Sequence, residues 1–451
     1  MLGCEKMNKI DTSEMARDME NYVIILILLG LMVILSALAE RMKIAAPIVL
    51  IIVGIAVGFI PGMPVIQIDS EIIFLLFLPP LLYDASFKIH YPQFKANSYM
   101  ISKLAFTLVF ATTIGIAVVA HFLIPGMTWP LAFLLGSILA PTDAVAAINI
   151  TKGLGLSPLT NTVLEGESLL NDASALVAFK FSLAALSGTS FVLWNASVSF
   201  VLLLAGGFAV GLVLSKMVGF ILKMIKNNGT AVLSLVLLSP FVTYLVAEKI
   251  HTSGVIAVVT LGISLSRLAS SRFPDKLKVQ SEAIWDMITF LLNGLVFILI
   301  GLELPIAVKA LSTNQLLLYS FYGFIITVTA LVLRTFSVFG NKRRLDKAFV
   351  KNHMRSSKRI IPESVLLSIQ ESLIISWSGM RGIISLSLAI GLPAALNNGE
   401  EFPLKNTIIF ITTVVVLLTI VGQGLILPFI VKKEIRDIQL IPQQPMETDV
   451  S

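Results

Sequence analysis

Charge is scarce in this chain: Asp, Glu, Lys and Arg make up only 13% of its 451 residues, against about a quarter in a soluble domain. Cysteine is nearly absent. Cys4 stands alone, which excludes a disulfide framework and a paired-thiolate metal site and leaves redox chemistry without a carrier. Histidine is scarce too, four in all, and His90, His121 and His353 show no ligand spacing; carboxylates and hydroxyls without clustered His or Cys do not make a zinc site. No cofactor is expected, and no metal beyond a monovalent cation. What is abundant is apolar: 56% of the residues are hydrophobic and the mean hydropathy is +0.91. A single core stops growing at about 250–300 residues, so the surplus must face lipid.

Residues 1–21 form a short polar tail that mixes acids and bases, unlike the basic n-region of a cleaved signal peptide. Beyond it lie apolar runs of about 17–25 residues or more, each long enough to cross a hydrocarbon core of about 30 Å as a helix. Thirteen are expected, over 22–38, 44–60, 70–86, 98–124, 130–150, 158–186, 190–222, 229–248, 253–269, 282–301, 314–339, 366–392 and 406–430. Continuous runs of this length exclude barrel strands, whose residues alternate, so the fold class is an all-α polytopic membrane protein. Residues 340–362 read as a long basic loop and 431–451 as a short tail.

The basic residues set the orientation. Loops on the side of the N-terminus hold 6 Lys and Arg, loops on the opposite side 24, and three more (Lys180, Arg334, Arg381) fall in or at the ends of spans. By the positive-inside rule the C-terminus is cytoplasmic and the N-terminus outside, so the net charge of +6 implies no nucleic-acid partner. Pairing spans 1–6 with 8–13 gives halves of opposite topology, an inverted repeat. Span 5, with "GSILAPTDAVAA", and span 12, with "SWSGMRGIISLS", are each interrupted by helix breakers, Pro141 in one and Gly379 and Gly382 in the other. Broken helices present backbone amides and carbonyls at the bilayer midplane, where transporters hold ions.

An ionisable residue at a span centre costs about 2.5–3.5 kcal/mol, so each needs a partner or a function. Span 6 holds Glu165, Glu167, Asn171 and Asp172 within eight residues. Helical spacing puts Glu165, Ser168 and Asp172 on one face, with Glu167 and Asn171 on the adjoining one. Thr142 and Asp143 lie at the break of span 5, and Asp84 follows the kinking pair Pro79 and Pro80 in span 3. Such hard oxygen ligands suit a hard cation. The balancing positive charge is expected from Arg381, while Glu303 and Arg334 read as anchors near helix ends. Lys180 reads as a snorkelling residue, and Glu248 with His251 as an outer surface pair.

"APTDAVAA", "LEGESLLNDASALVAF", "FLLNGLVFILIGLEL" and "SWSGMRGIISLSLA" occur in that order, and together they resemble the monovalent cation:proton antiporters, in the NhaP-type sodium/proton exchanger branch. The resemblance spans residues 22–430. It implies an NhaA-like fold with two crossed discontinuous helices, core helices over 98–186 and 314–430, dimerisation helices over 22–86 and 229–301, and a linker helix over 190–222. It further implies a homodimer in the bacterial inner membrane. Cation and proton binding map to Thr142, Asp143, Ser168 and Asp172, with Asp84 at a position often occupied by Glu in relatives. Glu167 and Arg381 correspond to the family's core ion pair and Asn171 to its polar partner. The electrogenic branch has Asp at position 171, so the resemblance implies electroneutral exchange of Na+, or Li+ or K+, for H+.

The residues by themselves agree, since a cation or a proton can neutralise a buried Asp172 but both cannot do so at once. Three other readings are weaker. A channel needs a continuous polar pore, whereas here the polar residues gather at mid-span. An intramembrane aspartyl protease needs a Gly-x-Gly-Asp partner to Tyr83–Asp84, which the chain lacks. A structural subunit of a larger membrane complex would not need the full set of acids.

Overall fold

The computed structural model describes residues 23–42, 44–60, 70–89, 91–186, 193–225, 228–272, 274–309, 311–355, 366–393, 395 and 401–439. Cys4, His90, the N-terminal tail and the end of the C-terminal tail lie outside them. Helix α1 is Val23–Arg41, α2 Ala46–Gly58, α3 Ser70–Lys88 and α4 Ser98–Leu123. A broken pair follows, α5a Trp129–Leu139 and α5b Ala144–Ile150, then α6 Pro158–Leu186, α7 Leu193–Met224, α8 Gly229–Lys249 and α9 Gly254–Arg272. Next come α10 Asp275–Lys309, α11 Thr313–Arg355 and a second broken pair, α12a Ile369–Trp377 and α12b Ile383–Ile390. Last is α13, Lys405–Leu417 continued through a π turn Leu418–Gln423 into Gly424–Gln439.

Helix occupies every apolar stretch expected from the sequence, and nine of the described helices are long and apolar enough to cross a bilayer. The only β pairing among the described residues is an isolated bridge between Ala395 and Glu401. Phe122, Phe336 and Phe429 are 78%, 75% and 74% exposed, and with the many other exposed large apolar side chains they form the kind of surface that meets lipid or a partner.

The expected loop 340–362 is corrected by the structure over 340–355, because α11 runs on to Arg355, while 356–362 lie outside the described residues. Lys342, Arg343, Arg344 and Lys347 are straight-chain helix formers. Lys342 also bonds Asp346 one turn on at 2.9 Å and the Leu367 carbonyl at 2.7 Å, which ties the extension to the start of the α12 segment.

Packing sorts the helices. α2 lies along α10 with backbones almost touching: a Cβ on Gly301 would stand 2.9 Å from the Gly54 Cα, so only small residues permit this approach. α3 and α7 pack on α9, and α8 joins them. α4, α5a, α6, α11, α12b and α13 share a second core around Ile138, Ile326, Leu388 and Ile411. Ala146 and Ile150 of α5b and Met380 of the second break pack in another core with Ile51 of α2 and Ile298 of α10.

Candidate functional site

Pro141 has no N–H to give, so the ladder stops after α5a and restarts with Asp143 as N-cap of α5b, its Oδ1 accepting from Ala146 N at 3.1 Å. In the other break Ser378–Gly382 is non-helical between α12a and α12b. The breaks cross. Asp143 N donates to the Met380 carbonyl at 2.8 Å, and Arg381 Nε donates to the Leu139 carbonyl at 2.9 Å, so each break satisfies the other's freed backbone groups. Gly382 is required at the crossing, since a Cβ there would lie 2.8 Å from Asp143 Cβ and Cγ.

α6 lies against the break of α5 and presents two different faces. On one, Asn171 Nδ2 donates to Thr142 Oγ1 at 2.8 Å, Thr142 Oγ1 donates to Glu167 Oε1 at 3.4 Å, and Arg334 of α11 grips both carboxylate oxygens of Glu167, with Nη2 to Oε2 at 2.9 Å. Ser168 Oγ donates to the Thr142 carbonyl at 3.0 Å. On the other face Glu165, Ser168 and Asp172 line a cavity of about 1480 Å³, together with Thr142 and Asp143. The Asp172 side chain, 6% exposed, accepts no hydrogen bond and meets no cation among the described residues.

The pairing of Glu167 with Arg381 is corrected here. Glu167 is paired with Arg334, 1% exposed and also bonded from Nε to the Ile375 carbonyl at 2.9 Å. The Arg381 guanidinium goes instead to the carbonyls of Leu139 and Gly379, and its backbone N–H to Thr419 Oγ1 at 3.0 Å. The physical reason is the exposed backbone: two helix breaks leave carbonyls that a neighbouring guanidinium satisfies. Nor is Arg334 an anchor at a helix end, because α11 continues 21 residues beyond it. Gly379 makes room for it, since a Cβ there would lie 2.8 Å from Arg334 Nε.

Asp84 lines the same cavity toward its mouth, where Lys88 Nζ bonds Asp84 Oδ2 at 2.8 Å and Asp286 Oδ1 of α10 at 2.7 Å. Neither Lys88 nor Asp286 stands out in the sequence as a site residue. The i, i+4 spacing of Asp84 and Lys88 was a signal; the partner on α10 was not. Farther out, Glu40, Lys152 and Lys432 stand at the rim, so the cavity opens toward the helix ends that carry the basic loops. Lys180 pairs with Glu248 at 3.6 Å, and Glu248 accepts from Gly254 N at 3.1 Å, so the expected pairing of Glu248 with His251 is replaced by these contacts.

A multi-pass helical membrane protein in which two broken helices cross beside an acid-lined cavity is built as a secondary transporter. The transmembrane sodium/hydrogen exchanger family model matches residues 24–433, and the chain belongs to that family. Over 435 residues it is 33% identical to the sodium, potassium, lithium and rubidium/H+ antiporter of Bacillus subtilis (strain 168), covering 91% of this chain and 62% of that protein. It is 30% identical over 423 residues to the Na+/H+ antiporter ApNhaP of Aphanothece halophytica, covering 92% and 75% of the two chains. The structure of the sodium proton antiporter MjNhaP1 from Methanocaldococcus jannaschii at pH 8 matches with a TM-score of 0.67 at 20% identity, over 92% of this chain and 98% of that one. The protein is therefore an integral membrane cation/proton antiporter and not an enzyme, with Na+ and H+ as its transported ions.

Proposed function

We propose that Asp172 is the exchange site, where one monovalent cation and one proton bind in turn. The observation that carries this is the asymmetry of α6. Glu167 and Asn171 on one face are fixed by partners, while Asp172 on the cavity face has none among the described residues. Thr142, Asp143 and Ser168 supply further oxygens around it, and Asp84 lies on the approach. Glu167, Asn171 and Arg381 hold the two breaks in register, with Arg334 as the partner of Glu167. A carboxylate neutralised by either ion crosses the low-dielectric barrier, whereas a bare one does not, so the empty carrier returns too rarely to leak.

Asn171 beside Asp172 adds no second titrating charge, which favours electroneutral exchange of one cation for one proton. The alkali cations printed in the name of the Bacillus subtilis relative support Na+, Li+ and K+ as candidates here. With the C-terminus cytoplasmic, the rim of Glu40, Lys88, Lys152 and Lys432 lies on the cytoplasmic side, and this conformation is open inward. We place the chain in a bacterial inner membrane, with thirteen crossings and a lipid-facing surface. It forms a homodimer through helices over 22–86 and 229–301, with the core over 98–186 and 314–430 and a linker over 190–222. Proteoliposomes holding a pH gradient test this reading. Added Na+ collapses the gradient at a rate unaffected by imposed voltage of either sign, and Asp172→Asn gives no response while still folding. Exchange that persists in Asp172→Asn contradicts it.

A further inference from the structure

The mouth of the cavity already holds a cation that belongs to the protein. Lys88 Nζ lies 2.8 Å from Asp84 Oδ2 and 2.7 Å from Asp286 Oδ1, bridging α3 and α10 in the lining of the cavity that also holds Asp172. Asp84 is 9% exposed, and its other oxygen, Oδ1, is buried without a hydrogen-bond partner. Glu165 of α6 lines the same cavity as Lys88 and Asp84. Lys88 contacts Asp84 on its own helix and Asp286 on α10; the other charged groups lining the same cavity are Glu40 on α1, Asp143 at the first break, Glu165 and Asp172 on α6, and the cations Lys152 and Lys432.

We propose that Lys88 is a tethered competitor that sets the apparent affinity for the transported cation on the cavity side. Its ammonium holds one oxygen of Asp84 and one of Asp286, so an arriving alkali ion meets a vestibule whose acids are already partly neutralised. Asp84 thereby serves approach rather than coordination at Asp172. Lys88 touches neither reacting oxygen; it acts through the acids it occupies. Opposite charges at the mouth raise or lower the local cation concentration before the ion reaches the deep site, an effect that salt screens. Asp286 plays the counterpart role: it draws Lys88 outward and adds negative charge to the vestibule. The inference rests on Asp172 being the exchange site, which the Asp172→Asn experiment tests separately.

The test uses everted membrane vesicles containing the full chain, with Na+ added to the exposed cavity side and proton movement read by a dye. Lys88→Gln lowers the KM for Na+ by about two- to five-fold at low ionic strength, with Vmax changed less. Asp286→Asn raises KM. Both shifts shrink when ionic strength is raised with an impermeant salt, and Lys88→Arg behaves like the wild type. The side chains of Lys88 and Asp286 are 41% and 67% exposed, so neither change empties a packed core. If the bridge only braces α3 against α10, both variants break it and move KM in the same direction. That result overturns the proposal, as does an unchanged KM in either variant while wild-type exchange proceeds.

Discussion

Arg334 on α11 and Glu167 on α6 form a two-pronged ion pair inside the membrane domain, each side chain 2% exposed. Thr142 and Asn171 continue the chain of bonds from Glu167 to the break of α5. The pair thus fixes how α6 presents Asp172, although it faces away from the cavity.

Removing one partner leaves an uncompensated buried charge. Glu167→Gln or Arg334→Gln alone is expected to destabilise the fold by about 3–5 kcal/mol, and the double substitution by less than the sum. Thermal melts of the purified protein in detergent, run on all four forms of the cycle, measure this. Additive losses would show that the two residues do not act as a pair.

The crossing at Gly382 gives a sharper steric prediction. Its missing side chain is what lets Asp143 sit against the second break, with Asp143 Cγ 2.8 Å from where a Cβ would be. Gly382→Ala must push that carboxylate or separate the breaks, at a cost of about 1–3 kcal/mol. Exchange should fall at least tenfold while Gly340→Ala, where a Cβ meets nothing within 4 Å, leaves it intact. Dye-monitored transport by the two variants side by side checks this.

Much of the site was legible because it depends on spacing along one helix. Glu165, Ser168 and Asp172 at intervals of three and four share the cavity face, and Pro141, Gly379 and Gly382 mark the breaks. The misplaced role of Arg334 traces to one boundary. A run of Lys and Arg after residue 341 reads as loop, which puts Arg334 near a helix end, whereas the continued helix puts it at mid-length. Asp286 bonds Lys88 across 198 residues. No local pattern carries such a contact, because it depends on how α3 and α10 pack.

Competition at one carboxylate fixes the sign of the pH dependence. Lower pH adds protons to the site, so the apparent KM for Na+ should rise as pH falls, by about tenfold per unit where one proton excludes one cation. Vmax at saturating Na+ should change far less. Initial rates over a range of Na+ concentrations at several pH values, with pH equal on both sides of the vesicle and isotopic Na+ as tracer, measure it. A KM independent of pH with a falling Vmax would mean that the proton binds elsewhere.

Proton release on cation binding tests the shared site most directly. Purified wild-type protein in weakly buffered detergent solution, at a pH where the site is protonated, receives Na+ while a pH indicator records the protons set free. The account predicts about one proton released per Na+ bound, with saturation at the same Na+ concentration as binding, and none from Asp172→Asn. Sodium binding without proton release, or release that survives in Asp172→Asn, would contradict it.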